Sequence, residues 1–180
     1  MDLILETKRL ILKPLDASHV QDFFEMDSNP NVHKYLWNKP VLKIEESIAV
    51  IENVLKQYET NGIGRFAMHL KETNDFVGWC GLKFNTDFVN HKTNFYDIGY
   101  RLKEKYWGKG FATEASLPWM THGFNEMQIN KITAAAHKDN VASNRILQKI
   151  GLKFTETYLE DEITWNWYEL NIADYQNTEP

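Results

Sequence analysis

The chain has one cysteine in 180 residues, nine glycines and five prolines. A lone thiol, Cys80, excludes an internal disulfide and suits a reducing compartment, so a cytoplasmic location is expected. Long hydrophobic runs are missing. The N-terminus MDLILETKRLILKPL is charged throughout, so it holds no signal-peptide core, and no stretch reaches the roughly 18 apolar residues of a spanning helix. No membrane partner is expected. Basic residues are also short, with 20 Lys and Arg against 25 Asp and Glu and a formal net charge of -5. That balance argues against a nucleic-acid partner and makes a cation the better guess for a charged substrate. Repeats, low-complexity tracts and Gly/Ser linkers are absent too, so a single domain, 1–180, is expected.

What is present is 43% hydrophobic residues, enough in a chain of this length for a core without staples. Leu10 and Leu12 alternate with charged neighbours up to Pro14, a strand, and Asp16 or Ser18 can cap a short helix through Met26. Ile44, Ile48, Ile51 and Leu55 recur at helical spacing, with Gly62 where a C-cap belongs. RFAMHLKETNDFVGWCGLKF reads as a hairpin turning at ETND, and FYDIGYRL as a third strand after the polar loop NTDFVNHKTN. Phe111, Ala115 and Trp119 share a helical face, but Pro118 inside that pattern predicts a kink or break. KITAAAH is a strand. DNVASNRILQKIGLKF is a helix capped by Asn140 and ended by Gly151, with Ile146, Leu147 and Ile150 inward, and TYLEDEITWNWYELNI is a strand pair turning at EDE. The order, βαα-βββ-α-β-α-ββ, predicts an α/β fold with a mixed sheet and a strand–helix–strand crossover near its middle.

The stretch EKYWGKGFATEA sets Gly108 and Gly110 just before a helix. It fails the P-loop spacing, and Thr113 stands where a dinucleotide fingerprint needs a third glycine. Bare N–H groups feeding a helix N-terminus can still hold an anion, although a tight strand-to-helix turn would use the same glycines.

Five segments in order resemble the GNAT superfamily of acetyl-CoA-dependent N-acetyltransferases, in particular the RimJ/RimL-type branch that acetylates protein N-termini. They are ETKRLILKPL, NPNVHKYLW, NGIGRFAMHLKETNDFVGWCGL, YDIGYRLKEKYWGKGFATEA and DNVASNRILQKIGLKF. The resemblance implies acetyl-CoA as co-substrate, with no metal, and a central twisted sheet whose neighbouring parallel strands splay at the cofactor site. By resemblance, Trp107, Gly108, Lys109, Gly110, Phe111 and Ala112 form the pyrophosphate loop. Lys105 takes a position that the family fills with Gln or Arg, keeping the charge but losing the planar fork. Tyr100, Arg101 and Leu102 fall on the strand that pairs with the pantetheine arm, and Asn140 and Asn144 are further contacts.

The resemblance also implies a carboxylate base on the strand before the loop, which is Asp97; a solvated aspartate or one paired with Arg101 is the alternative. The tyrosine that many of these enzymes carry seven residues after the asparagine is Leu147 here. Ser143, near the thioester sulfur in the resembled branch, takes that place, and it is equally ordinary helix-start chemistry. Cys80, between glycines and Trp79, reads as a small buried hydrophobe, and the six histidines are scattered without zinc spacing. The acceptor cleft is expected between His33, Tyr35 and Trp37 on one side and Glu160, Asp161 and Glu162 on the other. Trp165 and Trp167 share one strand face and Tyr168 lies beside them; such an aromatic wall could line the cleft. The expected reaction is transfer of acetyl to a primary amine, first of all a protein or peptide N-terminal α-amine. A small amine such as a polyamine, amino sugar or amino acid is the alternative, and a non-catalytic acyl-CoA sensor the rival from another class. The acceptor's identity and the oligomeric state, a homodimer included, stay open.

Overall fold

The computed structural model describes residues 2–177; Met1 and 178–180, the ends of the expected domain, lie outside the described residues. Its frame is one eight-stranded sheet: β1 (Leu5–Glu6), β2 (Leu10–Pro14), β3 (Phe66–Leu70), β4 (Phe76–Asn85), β5 (Phe95–Leu102), β6 (Lys131–His137), β7 (Lys153–Glu160) and β8 (Ile163–Asn171). The strands run in the order β1-β2-β3-β4-β5-β6-β8-β7. Every neighbouring pair is antiparallel except β5 and β6.

Among the described residues six α-helices surround this sheet: α1 (Val20–Asp27), α2 (Pro30–His33), α3 (Ile44–Asn61), α4 (Phe111–Thr121), α5 (Val141–Lys149) and α6 (Ile172–Gln176). Phe23 and Met26 of α1 and Ile51 and Val54 of α3 bury against Ala67 and Phe76 on one face. Phe111, Ala115, Trp119 and Met120 of α4, with Leu147 of α5 and the following Ile150, bury against Phe66, Cys80, Leu82, Ile98, Ile132 and Tyr168 on the other. Each strand contributes alternate side chains to the two layers because successive residues point to opposite faces.

Two helical expectations are corrected. The buried stripe of α3 is Ser47, Ile51 and Val54, while Ile48 is 39% exposed. Tyr58, one turn beyond Val54, explains the rotation: its hydroxyl donates to the Arg65 carbonyl and accepts from the Leu15 amide at 3.0 Å. Two main-chain groups that would otherwise lack partners fix which side of the helix faces in. Pro118 does not break α4. The helix continues to Thr121 and relaxes into a wide π-type turn over His122–Glu126, closed by Met127 N–H to the His122 carbonyl at 3.0 Å. Burial of Trp119, Met120 and Phe124 around the proline holds the helix together.

Tyr58→Phe removes one hydroxyl and leaves the Leu15 N–H and Arg65 C=O unpaired, so it should cost about 1–3 kcal/mol in urea unfolding. An unchanged midpoint would mean that apolar packing alone orients α3.

Candidate active site

β5 and β6 pair only at Tyr96–Ile132 and Asp97–Thr133, although β5 continues to Leu102 and β6 to His137. Beyond Asp97 the two strands part, leaving β5 with a strand neighbour on one side only, β4. Lys103 N–H donates to the Val77 carbonyl on the β4 side at 2.9 Å. Main-chain groups alternate sides along a strand, so Arg101 also faces β4, whereas Tyr100 and Leu102 turn theirs into the gap. The expected trio is thereby reduced. Arg101 instead sends its side chain to buried Asp27 at the end of α1, 3.0 Å from both carboxylate oxygens, and over the Trp79 ring.

Immediately after β5 the chain makes one tight turn, Glu104–Tyr106, and enters the glycine segment. Gly108 and Gly110 both have left-handed backbones, φ 72° and 79°, which side chains resist. A Cβ at Gly108 would meet nothing within 4 Å, and at Gly110 only Arg9 Nη2 at 3.6 Å. Gly110 is the N-cap of α4 and no side chain caps the helix, so its first-turn N–H groups face outward beside the loop amides. The Lys105 and Lys109 ammonium groups lie 5.1 and 5.4 Å from the centre of the Tyr106 ring, adding positive charge next to the loop. Trp107, 45% exposed, donates its indole N–H to the Leu102 carbonyl at 2.9 Å. Phe111 and Ala112 are buried, so main chain is what they offer here.

Arg9, which motif reasoning missed, fastens this loop. It donates to the Lys109 carbonyl at 3.0 Å, covers the Phe111 ring at 4.3 Å and pairs with Glu114 at 2.6 Å. Glu114 also accepts from Thr7 Oγ1 at 2.6 Å and from the Arg9 amide at 2.8 Å. Burial pushes the Glu114 carboxyl up, but these hydrogen bonds and the Arg9 charge outweigh it and hold its pKa below the ordinary value. Thr7 and Arg9 lie about a hundred residues from the loop, and no local pattern signals the contact.

At the far lip of the gap, Asn140 caps α5 by accepting from the Ser143 N–H at 3.1 Å. Ser143 Oγ lies 3.1 Å from the Tyr100 hydroxyl, which also donates to the Ser143 carbonyl at 3.1 Å. Burial raises the Tyr100 pKa well above its usual value, so this phenol holds its proton and orients Ser143. Asn144 is a fully used node. Its amide nitrogen donates to the carbonyls of Asn140 at 2.7 Å and His137 at 2.9 Å, and its oxygen accepts from Asn166 at 2.8 Å and Tyr168 at 2.7 Å. It braces β6, α5 and β8 and has no hydrogen-bonding group left for a ligand.

Asp97 sits where the strands part, on the α1/α3 face. Its partner is Arg65, not Arg101: the guanidinium bonds one carboxylate oxygen and donates to the Asp97 carbonyl at 2.9 Å. Gly99 permits this, because a Cβ there would come within 2.8 Å of Arg65 Nη2. The other oxygen, Oδ1, is buried without a partner, as is the indole nitrogen of Trp165.

The register puts His137, Trp165, Tyr158 and Glu160 on the same face as Asp97. Over them lies the segment after α2, with the Tyr35 ring 5.2 Å from His137 and the Trp37 ring 5.0 Å from Trp165. His33 is corrected: it is buried 3.5 Å from Asp27 and lines no cleft. Tyr158, also missed, lies near both acids; burial, then the charges of Glu160 and Asp97, raise its pKa. Period two from Glu160 was the available signal. The Asp161 and Glu162 side chains are exposed at the turn. Cys80 is fully buried and its thiol is pushed up to about 12 by burial, so it is inert.

The acetyltransferase (GNAT) domain family matches residues 9–153, and the chain belongs to that family. The uncharacterized N-acetyltransferase YoaA of Bacillus subtilis (strain 168) is 30% identical over 150 residues, 83% of this chain and 82% of that protein. The putative ribosomal N-acetyltransferase YdaF of the same organism is 32% identical over 144 residues, 78% of this chain and 74% of that protein. The solved structure of RimL, a ribosomal alpha-N-protein acetyltransferase, in complex with coenzyme A shares the fold, with TM-score 0.79 and 21% identity over 96% of this chain and 99% of that one. The protein is accordingly an N-acetyltransferase of a family that uses acetyl-CoA.

The Glu114 clamp has a definite pH sign. Its carboxyl has an ordinary value of 4.5 that is lowered in the fold, so its stabilisation is present above that value and is lost as pH falls through the folded one. Glu114→Gln should therefore melt at a lower temperature than wild type at pH 7, with the gap closing as the pH falls below 4.5. A gap of constant size from pH 7 to 3 would show that the charge is irrelevant.

Proposed function

We propose that this chain transfers acetyl from acetyl-CoA to the α-amine of a protein or peptide N-terminus, by direct attack in the gap between β5 and β6. The observation that carries the reading is the parting of those strands between an uncapped amide nest and an aromatic recess, with Asp97 where they divide. The residues fit the carrier: the amides of 108–112 with Lys105 and Lys109 would hold its phosphates, and the main chain of Tyr100 and Leu102, with Asn140 beside it, would hold its amide arm. When bound, acetyl-CoA supplies an activated acetyl group and leaves as a thiolate.

The remaining chemistry belongs to the chain. Asp97 Oδ1, buried and unpartnered, takes up the proton of the entering ammonium through one water. Ser143, fixed by Tyr100, offers its hydroxyl to the departing sulfur. The state of Asp97 favours an α-amine. One of its oxygens is committed to Arg65, so a single oxygen serves the amine. At pH 7 an α-amine is neutral in about one molecule in seven, a lysine-like amine in about one in 2,500. The α-amine needs only modest help, and an aromatic wall of Tyr35, Trp37 and Trp165 suits a first residue with an apolar side chain. Glu160 and its acidic turn at the rim give a second reading, a small polyamine, some support.

Purified protein with acetyl-CoA should release free thiol faster with Ala-, Ser- and Met-initial peptides than with spermidine, an amino sugar or free amino acids. Tight CoA binding with no thiol release from any acceptor would sink the enzyme reading, and preference for spermidine would sink the α-amine. Ser143→Ala should lower kcat about tenfold or more at unchanged CoA affinity. Gly110→Asp should raise the Kd for CoA at least tenfold by placing a carboxylate in the nest. Unchanged constants would remove Ser143 from the mechanism and make the loop purely structural.

A further inference from the structure

β6 is an interior strand, with β5 on one side and β8 on the other, and it runs parallel to β5. A strand in that position is ordinarily covered on both faces. On the α4/α5 face this holds, because Ile132, Ala134 and Ala136 are buried in the core. On the other face Thr133 is buried, but Ala135, the next residue to point that way, is exposed. The opening lies on the face that carries Asp97, about 7 Å along β6 from Thr133, the last residue paired with β5.

Carried two residues past the Asp97–Thr133 pair, the register brings Gly99 on β5 and Ala135 on β6 into one row, with Trp167 on β8 opposite Ala135. Where the strands part, the face is therefore built of glycine and alanine side by side. The space over Gly99 is taken by the Arg65 guanidinium, whose Nη2 lies 2.8 Å from where a Cβ would stand. Ala135 stays exposed. The neighbouring rings are held by other partners: the Trp167 indole N–H donates to Glu169 at 2.9 Å, and its ring lies 5.3 Å from that of Phe95. In the row beyond, Trp165 lies against Trp37 and His137 against Tyr35. The result is a depression floored by the Ala135 methyl, with Asp97 and Arg65 toward β5 and an aromatic wall toward β8.

We infer that Ala135 determines which acceptors this chain accepts: it is the floor under the acceptor's first side chain, and its small size admits a bulky apolar one such as methionine or leucine. The inference rests on the α-amine reading proposed above. An amine that attacks where β5 and β6 part, giving its proton to Asp97, has its α-carbon beside the next row of the sheet. A first side chain leaving that carbon is then within reach of the Ala135 methyl and of the indole wall, and it gains by covering apolar surface. A larger residue at 135 raises the floor and takes that room away, while Asp97, the glycine loop and the open edge of β5 keep their places. Alternation in KITAAAH assigns Ala135 a face but cannot show that the face is uncovered, since that depends on where β5 leaves it.

Peptides that differ only in a first residue of Gly, Ala, Met or Leu test this in thiol-release assays on the full chain with acetyl-CoA. Wild type should use the Met- and Leu-initial peptides at least as well as the Gly-initial one. Ala135→Leu should lower kcat/KM for the Met- and Leu-initial peptides at least about tenfold relative to the Gly-initial peptide, since a misfit of even one methylene in an apolar pocket discriminates by roughly that much. Ala135→Val should move the ratio the same way by less; its β-branched side chain suits a strand, so it carries the test if the leucine variant does not fold. Circular dichroism and the Kd for CoA, read on each variant, report folding separately from specificity. A wild type that acetylates the Gly- and Ala-initial peptides but rejects Met and Leu, or a ratio across the four peptides that stays constant in the folded variants, would overturn the inference and leave the α-amine reading standing. A wild type that acetylates none of the four overturns both.

Discussion

Two parallel strands that stop pairing in mid-sheet are the constraint from which the rest of the molecule follows. Main-chain groups that lose a strand partner must find another or face solvent, and β5 and β6 part after a single short stretch of pairing. The gap is kept open from both sides. Asn144 ties the end of β6 to α5 and β8 through the carbonyls of His137 and Asn140 and the side chains of Asn166 and Tyr168. Tyr100 spans from β5 to the first turn of α5. Tyr35 and Trp37 reach over to His137 and Trp165, while Asp27, just before the same segment, is held by Arg101 on β5. The site is therefore a property of the sheet, and the loops around it inherit their positions from it.

Charge is distributed with the same economy. Near the glycine loop Arg9, Lys105 and Lys109 leave a positive surface, and Glu114 satisfies Arg9 without reaching into the nest. On the opposite face Arg65 takes up one oxygen of Asp97 and leaves the other free. The positive surface of the glycine loop and the Asp97 carboxylate thus lie on opposite faces of one sheet.

Much of this was legible in the sequence, for physical reasons that also explain the failures. The strands and the glycine turn are local: alternation over FYDIGYRL and the pair Gly108 and Gly110 report their own backbone. The assignment of Asn140 as a cap is local too. Arg65 with Asp97, and Arg9 with Glu114, are long-range pairs chosen by strand order, and nothing in their neighbourhoods marks them. The α3 stripe slipped because Tyr58 spends its hydroxyl on two distant main-chain groups, which apolar spacing does not record. Pro118 misled in the other direction, since a strong local rule was overridden by the burial of Trp119, Met120 and Phe124.

In the function proposed above, the β5 edge beyond Asp97 and the uncapped amides of the glycine segment hold one extended anionic carrier. Amide hydrogen exchange with and without CoA, resolved to short peptides, tests it most directly. Exchange should slow over 98–102 and 108–113 together on adding CoA, with β2 and β3 unaffected. Unchanged exchange in both segments at saturating CoA, or slowing confined to a different part of the sheet, would contradict the account.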